Sequence, residues 1–416
     1  QYMCDREVRF GKGGLYSPAV VRQMENAVKG MRVFRWVSAR PPQQVEDGRV
    51  DVKIRVSEAD PQSIKIGGQL SLETVRWQEQ VSVDYTHTNL FGHLTRLDLH
   101  TVVGWAEMSN PWDPFLHGPV LTVEPAFTKK GILEDHLLWT LAPRFDVNLQ
   151  EGYQYYSPSN RFGVGRWLAG FIHLSLSHNL RYVDFFNVDP GLDANSSLLG
   201  RDFRDPFLLA YLEGRVQLFL ADSITRPTNG LILETVYDLA GGVFGGHFDY
   251  QKVVGGVRAY WTPTSRVQFA VRGQTGLIFP YGANAGAPIN MKFYLGGANT
   301  VRGWGSRRLS PRLEECDGDD CSSIPIGGYT MLEGNLEVRL RTFGGLYLVG
   351  SADMGDVQAG ESEYVVDEWN YSAGPGLRYD SPLGMLRLDL GFRLNDPGVY
   401  PDEASWGVYF GFGEAF

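Results

Sequence analysis

A two-residue alternation that returns along most of the chain constrains its fold more than any other feature. From Met385 to Asn395, Leu386, Leu388, Leu390, Phe392 and Leu394 fall on one face, and Arg387, Asp389, Gly391 and Arg393 on the other. The same pattern sets Val81, Val83 and Tyr85 against Ser82, Asp84 and Thr86. It sets Phe145, Val147 and Leu149 against Arg144, Asp146 and Asn148, and Leu336, Val338 and Leu340 against Glu337, Arg339 and Arg341. A period of two marks strands with one apolar and one polar face. A soluble sandwich turns the charged face outward, whereas a membrane barrel turns it into the lumen. The best apolar runs, such as Leu137 to Leu141, are far shorter than the roughly 18–20 residues of a transmembrane helix. A chain of this kind that enters a membrane does so as a closed barrel, because only helices and closed sheets satisfy every backbone group in lipid.

Composition fits. The 416 residues could hold two or three ordinary domains, or one large β-structure and a small companion. Fifty glycines, 13% aromatic and only 21% charged residues suit many short strands and turns. A mean hydropathy of -0.21 is too low for a helical membrane protein. The net charge of -10 disfavours nucleic acid, and the basic cluster Arg307, Arg308 and Arg312 lies in a glycine-rich loop, where Arg307 is expected to matter little. Cys316 and Cys321 enclose Asp-Gly-Asp-Asp, which reads as a loop disulfide in an oxidising compartment; zinc would need a second ligand pair nearby. Cys4 has no evident partner, and the opening Gln1-Tyr2-Met3-Cys4 suggests a mature or truncated form.

Residues 1–62 read as a small α+β unit. Ser17-Pro18 starts a helix carrying Val21, Met24, Val28 and Met31, and strands follow at Val33 to Ala39 and Arg49 to Val56. From residue 63 onward the pattern predicts sixteen strands, over 64–74, 76–89, 93–106, 119–129, 137–149, 162–176, 179–189, 209–222, 230–240, 249–262, 265–279, 327–341, 345–356, 369–380, 384–395 and 406–416. Tight turns are expected at Leu90-Phe91-Gly92, Lys130-Gly131, Asn179, Arg226 to Gly230, Pro263-Thr264, Phe343-Gly344 and Ser381-Pro382-Leu383. Long loops are expected at Glu107 to Gly118, Asp189 to Pro206, Pro280 to Ile326 and Val357 to Asn370. Short turns on one side and long loops on the other are the habit of outer-membrane barrels.

Within the longest loop, Gly296-Gly297-Ala298-Asn299-Thr300-Val301-Arg302-Gly303-Trp304 resembles the loop motif of the BamA/TamA superfamily of outer-membrane protein assembly factors, with Trp304 where that family more often has Phe or Tyr. Leu336-Glu337, Ala352-Asp353-Met354-Gly355, Tyr379 to Gly384 and the closing Gly411 to Phe416 resemble further family segments in order. The resemblance covers the whole chain. It implies an all-β, sixteen-stranded transmembrane antiparallel barrel over 63–416, preceded by a POTRA-like domain in which only the second helix and last two strands are clear. It also implies the bacterial outer membrane as location, with that domain in the periplasm.

Strand parity puts Glu337, Arg339 and Asp353 on the lumen face if Leu336, Leu346 and Leu348 face lipid. Arg302, carried inward, would then meet Glu337 and Asp353, and a planar guanidinium can engage carboxylates bidentately. The bland alternative is a solvated loop arginine. Gly303 and Gly305 let the backbone pass close to the wall. Gly67 and Gly68 in the first barrel strand, and Gly407, Gly411 and Gly413 in the last, either weaken a seam that opens or relieve strain in a curved wall. Trp406, Val408, Phe410, Phe412 and Phe416 share one face, as a lipid-facing closing strand or a signal read during insertion.

No catalytic grouping, metal site or cofactor site emerges, so an enzyme is not expected. The resemblance implies insertion of other barrel proteins through a lateral seam between first and last strands. The implied partners are unfolded outer-membrane proteins, outer-membrane lipid and possible periplasmic or lipoprotein accessory subunits. A two-partner-type polypeptide secretion pore is the alternative.

Overall fold

A computed structural model describes residues 16–30, 33–40, 50, 52–72, 75–92, 94–108, 114–134, 136–194, 199–224, 226–317, 320–365, 369–381, 384–395 and 404–412. Near the N-terminus, helix α1 (Pro18–Gly30) buries Val21, Met24 and Val28 along one stripe, and strands β1 (Phe34–Arg40) and β2 (Lys53–Glu58) pair antiparallel, with Val37 and Ala39 buried. The spacing of the three helix residues is that of a single helical face.

Sixteen strands form the second body. They are β3 (Gln62–Leu72), β4 (Arg76–Leu90), β5 (Thr95–Met108), β6 (Leu116–Lys130), β7 (Leu138–Gln150), β8 (Tyr153–Leu168), β9 (Ile172–Phe186), β10 (Phe207–Ala221), β11 (Gly230–Ala240), β12 (Tyr250–Thr264) and β13 (Val267–Pro280). After a hairpin of β14 (Arg312–Asp317) and β15 (Asp320–Pro325) come β16 (Thr330–Arg341), β17 (Leu346–Gln358), β18 (Asn370–Ser381), β19 (Gly384–Arg393) and β20 (Trp406–Phe412). Each strand pairs antiparallel with the next in one sheet that runs from β3 to β20, with β13 beside β16. The Cα atoms of β20 and β3 come within 8 Å of each other, yet among the described residues no ladder joins them. The sheet is a nearly closed barrel.

Parity decides which face is which. Leu336, Leu348, Leu388 and Phe392 are 40–47% exposed, whereas the intervening Glu337 and Asp389 are fully buried. The apolar face is therefore the outer, lipid-facing one, and the charged face lines a filled lumen. On the side of the long loops, the lumen carries a buried, mostly aromatic plug in which Tyr153, Phe185, Phe203, Phe207, Phe248 and Tyr250 pack with Phe293, Leu295, Val301 and Trp304.

Two expectations fail. The strands expected at 162–176 and 179–189 are β8 and β9, displaced toward the N-terminus, and their turn is at Ala169-Gly170, both with positive φ (51° and 83°), not at Asn179. Two consecutive left-handed residues make the tight turn that matches strand twist, which Gly170 permits. Asn179 sits mid-strand, buried, with its side-chain amide donating to Ser177 Oγ at 3.3 Å. The connection expected between residues 149 and 162 shrinks to Glu151-Gly152, because β8 starts at Tyr153.

Cys316 and Cys321 lie directly opposite in the β14–β15 register. Facing residues of an antiparallel pair have Cα atoms about 4.5–5.5 Å apart, within the span of a disulfide. We expect the bond in protein from an oxidising compartment, contributing about 2 kcal/mol to hairpin stability. Thiol labelling of freshly prepared, unreduced protein checks this: modification at both positions rules the bond out.

Candidate functional site

The segment between β13 and β16 enters the lumen instead of projecting from it. Phe293 and Gly328 form one bridge and Leu295 and Leu309 another, and they hold the run from Gly296 to Trp304 at the tip of a tight fold. Within that fold Gly297 N donates to the Trp304 carbonyl at 2.8 Å, and Thr300 Oγ1 bonds both the amide (2.9 Å) and the carbonyl (2.8 Å) of Gly296. Val301 and Leu295 seat on Gly355 of β17, where an added Cβ would lie 2.8–2.9 Å from their methyl groups. The glycine two residues after Asp353 is thus the floor on which the tip rests.

Arg302, 2% exposed, is the centre of the site. Its Nε and Nη2 donate to the two Asp353 oxygens, each at 2.7 Å, and its Nη1 donates to Glu337 Oε1 at 2.7 Å. Asp389 of β19 completes the ring at 3.6 Å. Burial draws the guanidinium pKa down, but the hydrogen bonds and charges of Asp353, then of Glu337 and Asp389, overcome this and hold it above the ordinary arginine range. The carboxylates are shared. Glu337 also accepts from Arg339 (2.9 Å) and Arg378 (2.9 Å), Arg378 donates to Asp389 at 2.6 Å, and Asn335 braces Asp353 at 3.0 Å. A buried ion that is bonded on all sides is fixed in direction, and removing one member leaves charges uncompensated.

Gly303 and Trp304 reach the last two strands. Gly303 N donates to the Tyr409 hydroxyl of β20 at 2.8 Å, and that hydroxyl donates to the Trp304 carbonyl at 3.1 Å. Arg393 of β19 lies 4.3 Å from the Trp304 ring centroid and donates to the Gly303 carbonyl at 3.0 Å. Gly303 has φ +91°, and facing Gly391 could carry no Cβ, which would stand 2.4 Å from Gly303 N. Opposed glycines let the two backbones touch.

Arg307 departs from expectation. It stacks 3.4 Å from the Tyr294 ring centroid and donates to Gln150 (3.0 Å) and Tyr153 (3.2 Å), while Arg308 donates to Glu151 at 2.6 Å. The loop is therefore a crossbar, pinned to β16, β17 and β19 by Arg302 and to the far wall at β7–β8 by Arg307 and Arg308. Gly67 and Gly68 lie on β3 and Gly407 and Gly411 on β20; Gly413 and Phe416 lie outside the described residues. Sequence reading missed Tyr409, Asp389 and Arg378 as members, although each holds the lumen parity of its strand.

The Omp85 superfamily domain matches residues 136–416. The chain belongs to the Omp85 superfamily. This Omp85 chain is 27% identical over 421 residues to the outer membrane protein assembly factor BamA of Nitratidesulfovibrio vulgaris, a match covering 99% of the chain and 49% of that protein. It thus spans about half the length of that curated relative. Among solved structures, BamA from Haemophilus ducreyi lacking POTRA domains 1-3 superposes with a TM-score of 0.77 at 15% identity, over 99% of this chain and 81% of that one. CdiB from Acinetobacter baumannii gives 0.64 at 13%, over 97% and 69%. These likenesses are of fold, and they bear out the expected sixteen-stranded architecture, while the Omp85 match bears out the expected superfamily.

Arg302→Ala should lower unfolding stability by about 3–5 kcal/mol, and Arg302→Lys should recover only part, since an ammonium cannot engage Asp353 bidentately. Urea unfolding in detergent, followed by tryptophan fluorescence, measures this; a change below about 1 kcal/mol for the alanine variant contradicts a buried tie. Arg307→Ala, by the same assay, should cost about 2 kcal/mol through its lost ring contact and hydrogen bonds.

Proposed function

We propose that this chain is the barrel and adjoining periplasmic unit of a non-catalytic factor that inserts other β-barrel proteins into the outer membrane, through a lateral seam between β3 and β20. Residues 1–62 would be the POTRA-like periplasmic part and 63–416 the barrel. Unfolded outer-membrane proteins would be the substrates, with outer-membrane lipid around the wall and accessory subunits on the periplasmic side. The relationship to a BamA assembly factor supports the general role.

The observation that carries the seam is the sheet order: every other neighbouring pair is joined by a ladder, while β3 and β20 are side by side and unjoined among the described residues. An unpaired strand edge in lipid is costly. Such an edge is also a template on which an incoming strand can satisfy its own amides and carbonyls. Gly67 and Gly68 on β3 and Gly407 and Gly411 on β20 carry no side chain to pack, which weakens the pairing of both edge strands.

Export through the lumen, as in a two-partner secretion pore, would have to displace the crossbar and the aromatic plug. That weighs against it. The two routes separate when the seam is locked. Gly68→Cys paired in turn with Val408→Cys and with Phe410→Cys should yield an oxidisable combination. The oxidised protein, reconstituted in vesicles, should lose the ability to fold a urea-denatured small barrel into the bilayer and regain it on reduction. Undiminished activity of the locked protein would overturn the lateral route and leave the lumen as the path.

A further inference from the structure

At the short-turn end of the lumen, opposite the aromatic plug, the turn between β10 and β11 does not stay beside its own strands. The Pro227 carbonyl accepts from Gln268 of β13 at 3.1 Å, and Arg226 pairs with Asp380 of β18 at 3.3 Å. In the sheet, β11, β12, β13, β16 and β17 lie between that turn and β18, so the turn folds across part of the opening. Beneath it is a pocket of about 350 Å³, at the small end of the range for small-molecule sites. Arg226, Arg258, Arg339 and Arg378 line it, against a single lining carboxylate, Asp380. These arginines are not equally engaged. At the floor, Arg339 and Arg378 bond Glu337 and Arg378 bonds Asp389, yet the Arg378 Nε is buried with no hydrogen-bond partner among the described residues, on a residue only 1% exposed. Arg258 stands 3.6 Å from Glu234, beyond hydrogen-bond reach, and that carboxylate already accepts from Arg215 at 2.9 Å.

We propose that this pocket binds a carboxylate borne on a short carbon stem, held by Arg258 and the Arg378 Nε with Arg226 at the lip. A buried donor without a partner is costly, and an acceptor brought to it recovers that cost. Planar guanidinium groups match a carboxylate in shape as well as in charge. The stem is called for by the remaining walls, Ile232, Tyr260 and Met385, which are apolar or aromatic and would gain nothing from a bare ion. Two sources share this chemistry. One is the acidic side chain of an extended polypeptide entering the lumen mouth, and the other is a small free dicarboxylate; a folded partner is too large for the space. Because Arg339 and Arg378 both bond Glu337, and Glu337 bonds Arg302, the bound group would lie one side chain away from the tie of the crossbar. The site stands on its own geometry and does not depend on the lateral route.

Isothermal titration calorimetry of the purified full chain in detergent micelles tests this, with a hexaglutamate peptide and free glutarate as probes and inorganic phosphate for comparison. Arg339 and Arg378 belong to the buried ion cluster, so the test variant is Arg258→Gln. The control is Arg96→Gln, at the short-turn end of β5, whose arginine pairs with Asp98 outside the pocket. A carboxylate probe should bind, Arg258→Gln should weaken it by about tenfold, the scale of one lost hydrogen bond to a charged group, and Arg96→Gln should change it by less than about twofold. Heat-modifiable mobility shows whether each variant remains a folded barrel. Whichever carboxylate probe binds in this pattern supports the site and names its source. Binding of neither probe, an affinity unchanged by Arg258→Gln, or an equal loss in both variants overturns the site. Tighter binding of phosphate than of either probe overturns the carboxylate assignment. All of these readouts are independent of insertion activity, so their failure would leave the seam untouched.

Discussion

A backbone placed in hydrocarbon has no water to satisfy it, and the rest of this structure follows from that constraint. An open edge strand is costly there, so the sheet curls until its two ends, β3 and β20, approach. Closing sixteen strands leaves a lumen too wide for wall side chains alone to fill. Something else has to occupy it. Here the occupant is the chain between β13 and β16, which turns inward and carries its own apolar residues into the plug.

An inserted loop needs a tie that does not depend on continuous secondary structure, and a buried arginine supplies one. The guanidinium of Arg302 offers donors in a rigid plane, and Asp353 and Glu337 present acceptors from two adjacent strands at matching directions. Glu337 also holds Arg339 and Arg378, and Arg378 holds Asp389, so the tie couples β16, β17, β18 and β19 to one another. An isolated charge would be prohibitive at this depth. Distributed over shared partners, it becomes a source of specificity, since no shifted register of the loop would satisfy all of the groups.

Much of this was readable from residue order. Alternation fixed the number of barrel strands and the face each residue takes, and parity alone brings Glu337 and Asp353 to the side on which Arg302 arrives. The errors have physical causes. Asn179 resembles a turn residue by type, but turn chemistry is a backbone property, and Ala169-Gly170 supplied the left-handed pair. Arg307 looked like a loop charge because a linear sequence does not reveal that its loop crosses the lumen to Tyr153 and Gln150. Tyr409 was hidden by the more conspicuous apolar residues on either side of it. A lone polar group at lumen parity in a closing strand was the available signal.

The crossbar also bears on which side of the seam is free to move. β20 is held from within, because Tyr409 bonds both Gly303 and Trp304, and its neighbour β19 is held through Arg393 and Asp389. On the other side, Gln80 of β4 donates to Gln69 of β3 at 2.9 Å and accepts from Gln78 at 2.6 Å, so these contacts stay within the β3–β4 pair. Separating β20 from the loop would break both Tyr409 bonds to the loop backbone, at Gly303 and Trp304. Swinging β3 outward keeps its glutamine contacts with β4 and exposes one strand edge to lipid. On the proposed lateral route, β20 would therefore be the edge held from within and β3 the one freer to move, an asymmetry that a chemically symmetrical pair of glycine-bearing strands would not by itself have.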